Sequence, residues 1–134
     1  LELEPATLPL AELLLTKLQV AELNEKDVRD ALVLFRYHSV ADGDGRTING
    51  ARVAELCAQD WGLWRTITGN LAVAREHVDR YDLADEDKAA VKERIDALLD
   101  RIEREPKSRG WKLRARIGER KRWYEIPEEV AGGP

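Results

Sequence analysis

The chain has 134 residues, 43% of them hydrophobic and 36% charged, with a formal net charge of −4. A chain of this size removes about two-thirds of its unfolded surface from water, and its apolar residues recur at helical spacing, which fits a helical protein with solvated faces better than disorder. It carries no apolar run of about 18 residues and no signal-peptide pattern, and its single Cys57 excludes an internal disulfide.

The expectation is one mainly α domain over 1–134, of four to five helices with a small C-terminal β-hairpin, in a reducing cytoplasmic compartment with no membrane partner. Met is absent, so residue 1 is expected to lie within a longer protein of which this chain is a fragment.

Leu1 and Leu3 alternate with Glu2 and Glu4, which reads as the tail of a strand stopped by Pro5. Pro9 suits a first helical turn, and the spacing of Leu10, Leu13, Leu14 and Leu18 predicts a helix over 9–22. Leu23-Asn24 forms a hinge. Asn24 is a good N-cap for a second helix over 25–37, with Glu25 and Asp27 in the first turn where the helix dipole favours negative charge. Val28, Ala31, Leu32 and Phe35 give this helix its inner face, and residues 8–37 together read as a helical hairpin.

Residues 39–49, with Gly43 and Gly45, read as a loop. A short helix over 50–59 presents Val53, Leu56 and Cys57 inward. Asp60 then caps a helix reaching Tyr81, with a stripe at Trp64, Ile67, Leu71, Ala74 and Val78. Asp85 is expected to cap the longest helix, 86–105, which Pro106 ends. From Gly110 the period changes to two: Trp111, Leu113, Ala115 and Ile117 alternate with Lys112, Arg114 and Arg116. Gly118-Glu119 is a turn signal, and Arg122 to Ile126 return. Residues 107–127 therefore read as a basic β-hairpin, with 128–134 a frayed tail.

Charge is uneven. Residues 107–124 hold eight basic residues against Glu119 alone, a local net of +7 that leaves −11 for the remainder. Such asymmetry suggests an anionic partner or an internal acidic one. Lys112, Arg114, Arg116, Arg120, Lys121 and Arg122, with Trp123 beside them, are candidates for nucleic-acid contact, because cations track phosphates and an aromatic ring stacks on a base. The competing expectation is a solvated face turned to the acidic helices, with Trp111, Trp123 and Tyr124 in the core.

A second constellation lies at the hinge. Asp27 and Asp30 share one face of the second helix, and Lys17 reaches the same cleft if the two helices fold back. A Lys beside two carboxylates binds phosphate or orients a carboxylate; helix capping with a surface ion pair is the plainer alternative. Asp42 and Asp44 fail as a calcium loop, since Arg46, Thr47 and Val53 stand where further ligands and glycine are needed. His38 and His77 stand alone as surface or helix-end residues. Cys57 belongs to an apolar face, and Trp61 and Trp64 read as core.

The stretch LLLTKLQVAELNEKDVRDALVL resembles the motif downstream of the catalytic centre in AbiEii-type nucleotidyltransferases, toxins of toxin–antitoxin and phage-defence systems. The likeness carries a Lys on one helix, Lys17, then a basic-Asp-x-x-Asp cluster, Lys26-Asp27 and Asp30, over about 30 residues. It implies that Lys17, Lys26, Asp27 and Asp30 contribute to a nucleotide pocket. It also implies an upstream catalytic region with Mg²⁺ and a nucleoside triphosphate, and RNA, an antitoxin or a second copy as partners.

The family's Gly-Ser turn and strand-borne Asp-x-Asp are lacking here; Asp42-Gly43-Asp44 follows the motif and has no apolar flanks. The chain alone is therefore expected to be inactive, with no cofactor of its own. The competing class is a non-enzymatic winged-helix-like nucleic-acid-binding or protein-interaction domain, with residues 111–126 as the wing.

Overall fold

The computed structural model describes residues 8–124. The described chain is mainly α: six α-helices and one pair of two-residue parallel strands. The proposed strand at 1–4, the returning strand beyond Tyr124 and the tail at 128–134 lie outside the described residues.

Helix α1 (Leu10–Leu18) is shorter than its leucine pattern suggested. The cause is tertiary. The side-chain amide of Asn70 donates to the carbonyls of Leu18 (2.7 Å) and Val20 (3.0 Å), satisfying groups that another helical turn would have used. Helix α2 (Glu25–Tyr37) begins where expected, with Asn24 Oδ1 accepting from the Asp27 N–H at 2.8 Å.

The segment that follows is bracketed by strands β1 (Val40–Ala41) and β2 (Ile48–Asn49), which pair in parallel, Val40 opposite Ile48. The stretch 39–49 carries only loop signals in its sequence, because two-residue strands fall below what alternation can reveal. Gly45 takes φ +94°, a conformation that favours glycine.

Asn49 then caps α3 (Gly50–Gln59), accepting from the Arg52 N–H at 3.0 Å. A Cβ at Gly50 would meet Val40 Cγ1 at 3.1 Å and Arg101 Cγ at 3.3 Å, so glycine lets α3 start against β1 and the fifth helix. Asp60 caps α4 (Trp61–His77) as expected, accepting from the Leu63 N–H. The helix tightens into a 3-10 turn, Val78–Arg80, before Tyr81.

Helix α5 (Asp85–Arg104) is capped by no side chain: its N-cap is Ala84, and Asp85 is its first helical residue. Asp85, Glu86 and Asp87 instead act through the dipole of the first turn. At the other end Lys107 Nζ donates to the carbonyls of Ile102 (2.8 Å) and Glu105 (2.7 Å).

The largest departure follows. Where a β-hairpin was expected at 107–127, the chain forms a sixth helix, α6 (Arg109–Ile117), and a 3-10 turn, Gly118–Arg120. Ser108 nucleates α6: its Oγ accepts from the Trp111 N–H at 3.1 Å, and its own N–H donates to the Ala58 carbonyl at 2.9 Å. Gly118, at φ +62°, ends it. A winged-helix plan loses its wing by the same finding.

One apolar cluster ties α1–α5 together, with Ile48 of β2 inside it. Leu14, Leu18, Phe35, Ile67, Leu71, Ile95 and Leu98 are all fully buried, each contributing about 1.5–3 kcal/mol relative to exposure. Cys57 is buried in this cluster, and burial pushes its thiol up to about 12. Helix α6 contributes no buried residue. Among the described residues no helix is long and apolar enough to cross a membrane.

Candidate nucleic-acid interface

Helix α6 lies on α4 through aromatic rings. Trp111 meets Trp64 edge to face, with centroids 5.3 Å apart at 81°. Arg114 points inward: its guanidinium sits 4.8 Å from the centroid of Trp61, and its two terminal nitrogens donate to the carbonyls of Gly118 (2.7 Å) and Lys121 (2.6 Å). That clamp turns the chain back across α4. Trp123 then packs on Trp61 at 5.5 Å and donates from Nε1 to Thr66 Oγ1 at 3.1 Å. Gly62 permits the approach, since a Cβ there would meet Trp123 Cβ at 3.1 Å.

The sequence-derived candidates divide accordingly. Arg114 holds the turn and Trp123 packs on α4, so neither is presented along the helix face. Arg120 donates to the carbonyls of Ile117 (3.0 Å) and Arg116 (2.8 Å), closing the C-terminus of α6. Lys112, Arg116, Lys121 and Arg122 are exposed, and Arg122 lies over the Tyr124 ring at 5.5 Å.

Arg109, Lys112 and Arg116 follow one another at helical spacing along the outer face, interleaved with Leu113 (60% exposed) and Ile117 (42% exposed). Arg109, Lys112, Arg116 and Lys121 form no ion pair with a described carboxylate. Glu119, the acidic residue in this stretch, is held by Arg65 of α4 at 2.5 Å and does not neutralise that row. Of this row only Arg109 was not among the candidates read from sequence. Leu113 and Ile117 stood there as the residues alternating with Lys112, Arg114 and Arg116 on a strand, which hid that they share the helix's outer face with the cations. No family model, characterised protein or solved structure matches this chain.

The hinge residues come together as the helical hairpin implied. Lys17 of α1 and Lys26 of α2 each reach Asp30 Oδ2 at 2.9 Å. The Lys17 hydrogen bond, then that of Lys26, holds the Asp30 carboxyl below its ordinary value, and Asp30 in turn raises Lys17. Asp27 adds negative charge beside Lys17, while its N–H is spent on Asn24. None of these four residues lines the clefts beside Trp123 or Tyr81.

The donor set does not fit Mg²⁺. Asp30 is engaged by two ammonium groups, Asp42 by Arg101 at 3.1 Å and Asp44 by the Asn49 amide at 3.2 Å. No three His, Cys, Asp or Glu side chains among the described residues gather as metal ligands. His38 ends α2 and His77 ends α4, where their Nδ1 atoms pair with the carbonyls of Arg46 and Val73.

Proposed function

We propose that the chain is the helical, RNA-contacting region of a cytoplasmic, nucleotidyltransferase-like protein, inactive alone, and that the outer face of α6 carries the contact. The observation behind this reading is the row Arg109, Lys112, Arg116 and Lys121, exposed and without a described carboxylate, in a chain whose net charge is −4. Cations spaced along one helix face neutralise successive phosphates and release their counterions. The internal alternative, a basic face turned toward acidic helices, is disfavoured by the same exposure.

The test is fluorescence anisotropy of labelled single-stranded RNA with the double variant Lys112→Glu/Arg116→Glu. The reference is an equal charge change on α5, Lys92→Glu/Arg104→Glu. The α6 variant should weaken binding at least about tenfold, as loss of several phosphate contacts requires, and the α5 variant far less. Equal losses from both would reduce the effect to net charge and remove α6 from the contact.

A second reading attaches to the hinge. The contact of Lys17 with Asp30 across α1 and α2 supports the expectation that Lys17, Lys26, Asp27 and Asp30 form one wall of a nucleotide site, its metal-binding carboxylates supplied from outside this chain. In a protein containing both regions, Lys17→Ala should lower nucleotide incorporation into RNA; unchanged incorporation would remove Lys17 from the site.

A further inference from the structure

Beside the basic face, the α1–α2 hinge, α4 from Gly62 to Val73 and the returning chain line a cleft with lobes of about 250 and 370 Å³. Both lobes are lined by Ala21, Thr66, Trp123 and Tyr124. The larger reaches the roughly 300 Å³ at which ligand pockets begin.

The fold fixes two neutral polar groups of this cleft, whose lining also includes the carboxylates of Asp60, the cap of α4, and Glu22. Asn70 spends its amide nitrogen on the carbonyls of Leu18 and Val20, so its orientation is set. Its Oδ1 remains an acceptor with no donor among the described residues. Thr66 accepts from Trp123 Nε1, which leaves its hydroxyl proton to donate. Tyr124 offers a ring, and Arg122 over that ring links the cleft to the cationic row.

We infer that this cleft receives one unstacked base of a single-stranded RNA whose phosphates run along α6. The inference rests on the reading of α6 given above. Tyr124 supplies the stacking surface. Asn70 Oδ1 accepts from an exocyclic amine, as on cytosine, and the Thr66 hydroxyl donates to a base acceptor. A duplex keeps its bases stacked and paired and cannot use the cleft.

The test compares short oligo(C), oligo(U) and an RNA duplex of equal length on the full chain and on Gly69→Leu. Gly69 lines the larger lobe. A Cβ there meets Arg65 Nη1 at 2.7 Å, on the guanidinium that holds Glu119, and replacing a mid-helix glycine favours the helix. Leu therefore fills the lobe and shifts that ion pair, and Arg65→Gln is the control that removes the pair without filling the lobe.

Oligo(C) should bind the unaltered chain about 5- to 150-fold tighter than the duplex, the range of one base–aromatic stack, and tighter than oligo(U). Gly69→Leu should erase that advantage and leave duplex affinity equal to that of Arg65→Gln. Tyr124→Leu, which keeps apolar volume but removes the ring, should erase it with duplex affinity unchanged and covers the case in which Gly69→Leu misfolds. Equal weakening of oligo(C) and duplex by both variants, or no weakening of either, would overturn the base site. Absence of all RNA binding at low salt would instead overturn the α6 reading itself, and the cleft assignment with it.

Discussion

Helices α5 and α6 are both charged and amphipathic, yet the fold uses them oppositely. Helix α5 buries Val91, Ile95, Leu98 and Ile102 in the common core and spends much of its charge on neighbouring elements, Arg94 on the carbonyls of Phe35 and Arg36, Lys92 on Asp79 and Arg101 on Asp42. Helix α6 buries nothing fully; it is held by rings and one inward arginine, and it leaves Leu113 and Ile117 outside with its cations. Bulk apolar burial thus fixes the α1–α5 body, whereas aromatic and cation–π contacts hold α6 on its surface. An element of the first kind is set by stability. One of the second kind is free to display a surface.

The largest predicted effect separates the two regions outright. Phe35→Ala, at a fully buried position of α2, should cost about 3–5 kcal/mol in denaturant unfolding. A loss below about 1 kcal/mol would mean that α2 is not central to the body.

Next in size is Trp123→Ala, which removes the pairs with Trp61 and Tyr124 and the bond to Thr66. It should cost about 1–2 kcal/mol, felt locally. Hydrogen exchange should accelerate over 109–124 while the amides of α3 and α5 stay protected. Uniform acceleration would make α6 part of the core unit.

Acid should act on the body and spare α6, which carries no carboxylate. Lys17 holds the Asp30 carboxyl, and Arg75 that of Asp96, below the usual carboxylate range. A carboxyl lowered on folding adds stability that is complete above its unfolded value of about 4 and is lost as pH falls through the folded value. Urea midpoints should therefore drop below about pH 4, and Asp30→Asn or Asp96→Asn should flatten that slope by well under about 1 kcal/mol each, since both groups are largely solvated. An unchanged slope in both variants would remove these pairs from the acid response. Smallest of all, Leu113→Ala should change stability by no more than about 0.5 kcal/mol; a larger cost would show that its side chain is covered in solution.

The same contrast explains what was legible in the sequence. The stripe Val91, Ile95, Leu98 and Ile102 repeats by threes and fours over 20 residues, and α5 came out within a residue of its bounds. Asn24 and Asp60 announced their helices because side-chain capping is local chemistry. The end of α1 was not legible, since it depends on Asn70, 52 residues from Leu18.

Helix α6 was misread for a different reason. Trp111, Leu113, Ala115 and Ile117 satisfy a period of two, yet Trp111–Ala115 and Leu113–Ile117 are also i,i+4 pairs. A run of nine residues cannot separate the two periods. The deciding signal was Ser108 as an N-cap after Pro106, followed beyond Gly110 and Trp111 by the good helix formers Lys112 to Arg116. At the site, charge composition located the basic region, and the hinge motif brought Lys17, Lys26 and Asp30 together. Which cations face outward depended on Arg114 and Arg120 turning back to backbone carbonyls, and no spacing rule shows that.

The most direct measurement of nucleic-acid contact through α6 is the salt dependence of single-stranded RNA binding, compared with Lys112→Gln/Arg116→Gln. Contact by Arg109, Lys112, Arg116 and Lys121 predicts a slope of log K against log salt of about −3, falling in magnitude by about 1.4 in the double variant. A flat slope, or one that the two substitutions leave unchanged, would contradict it.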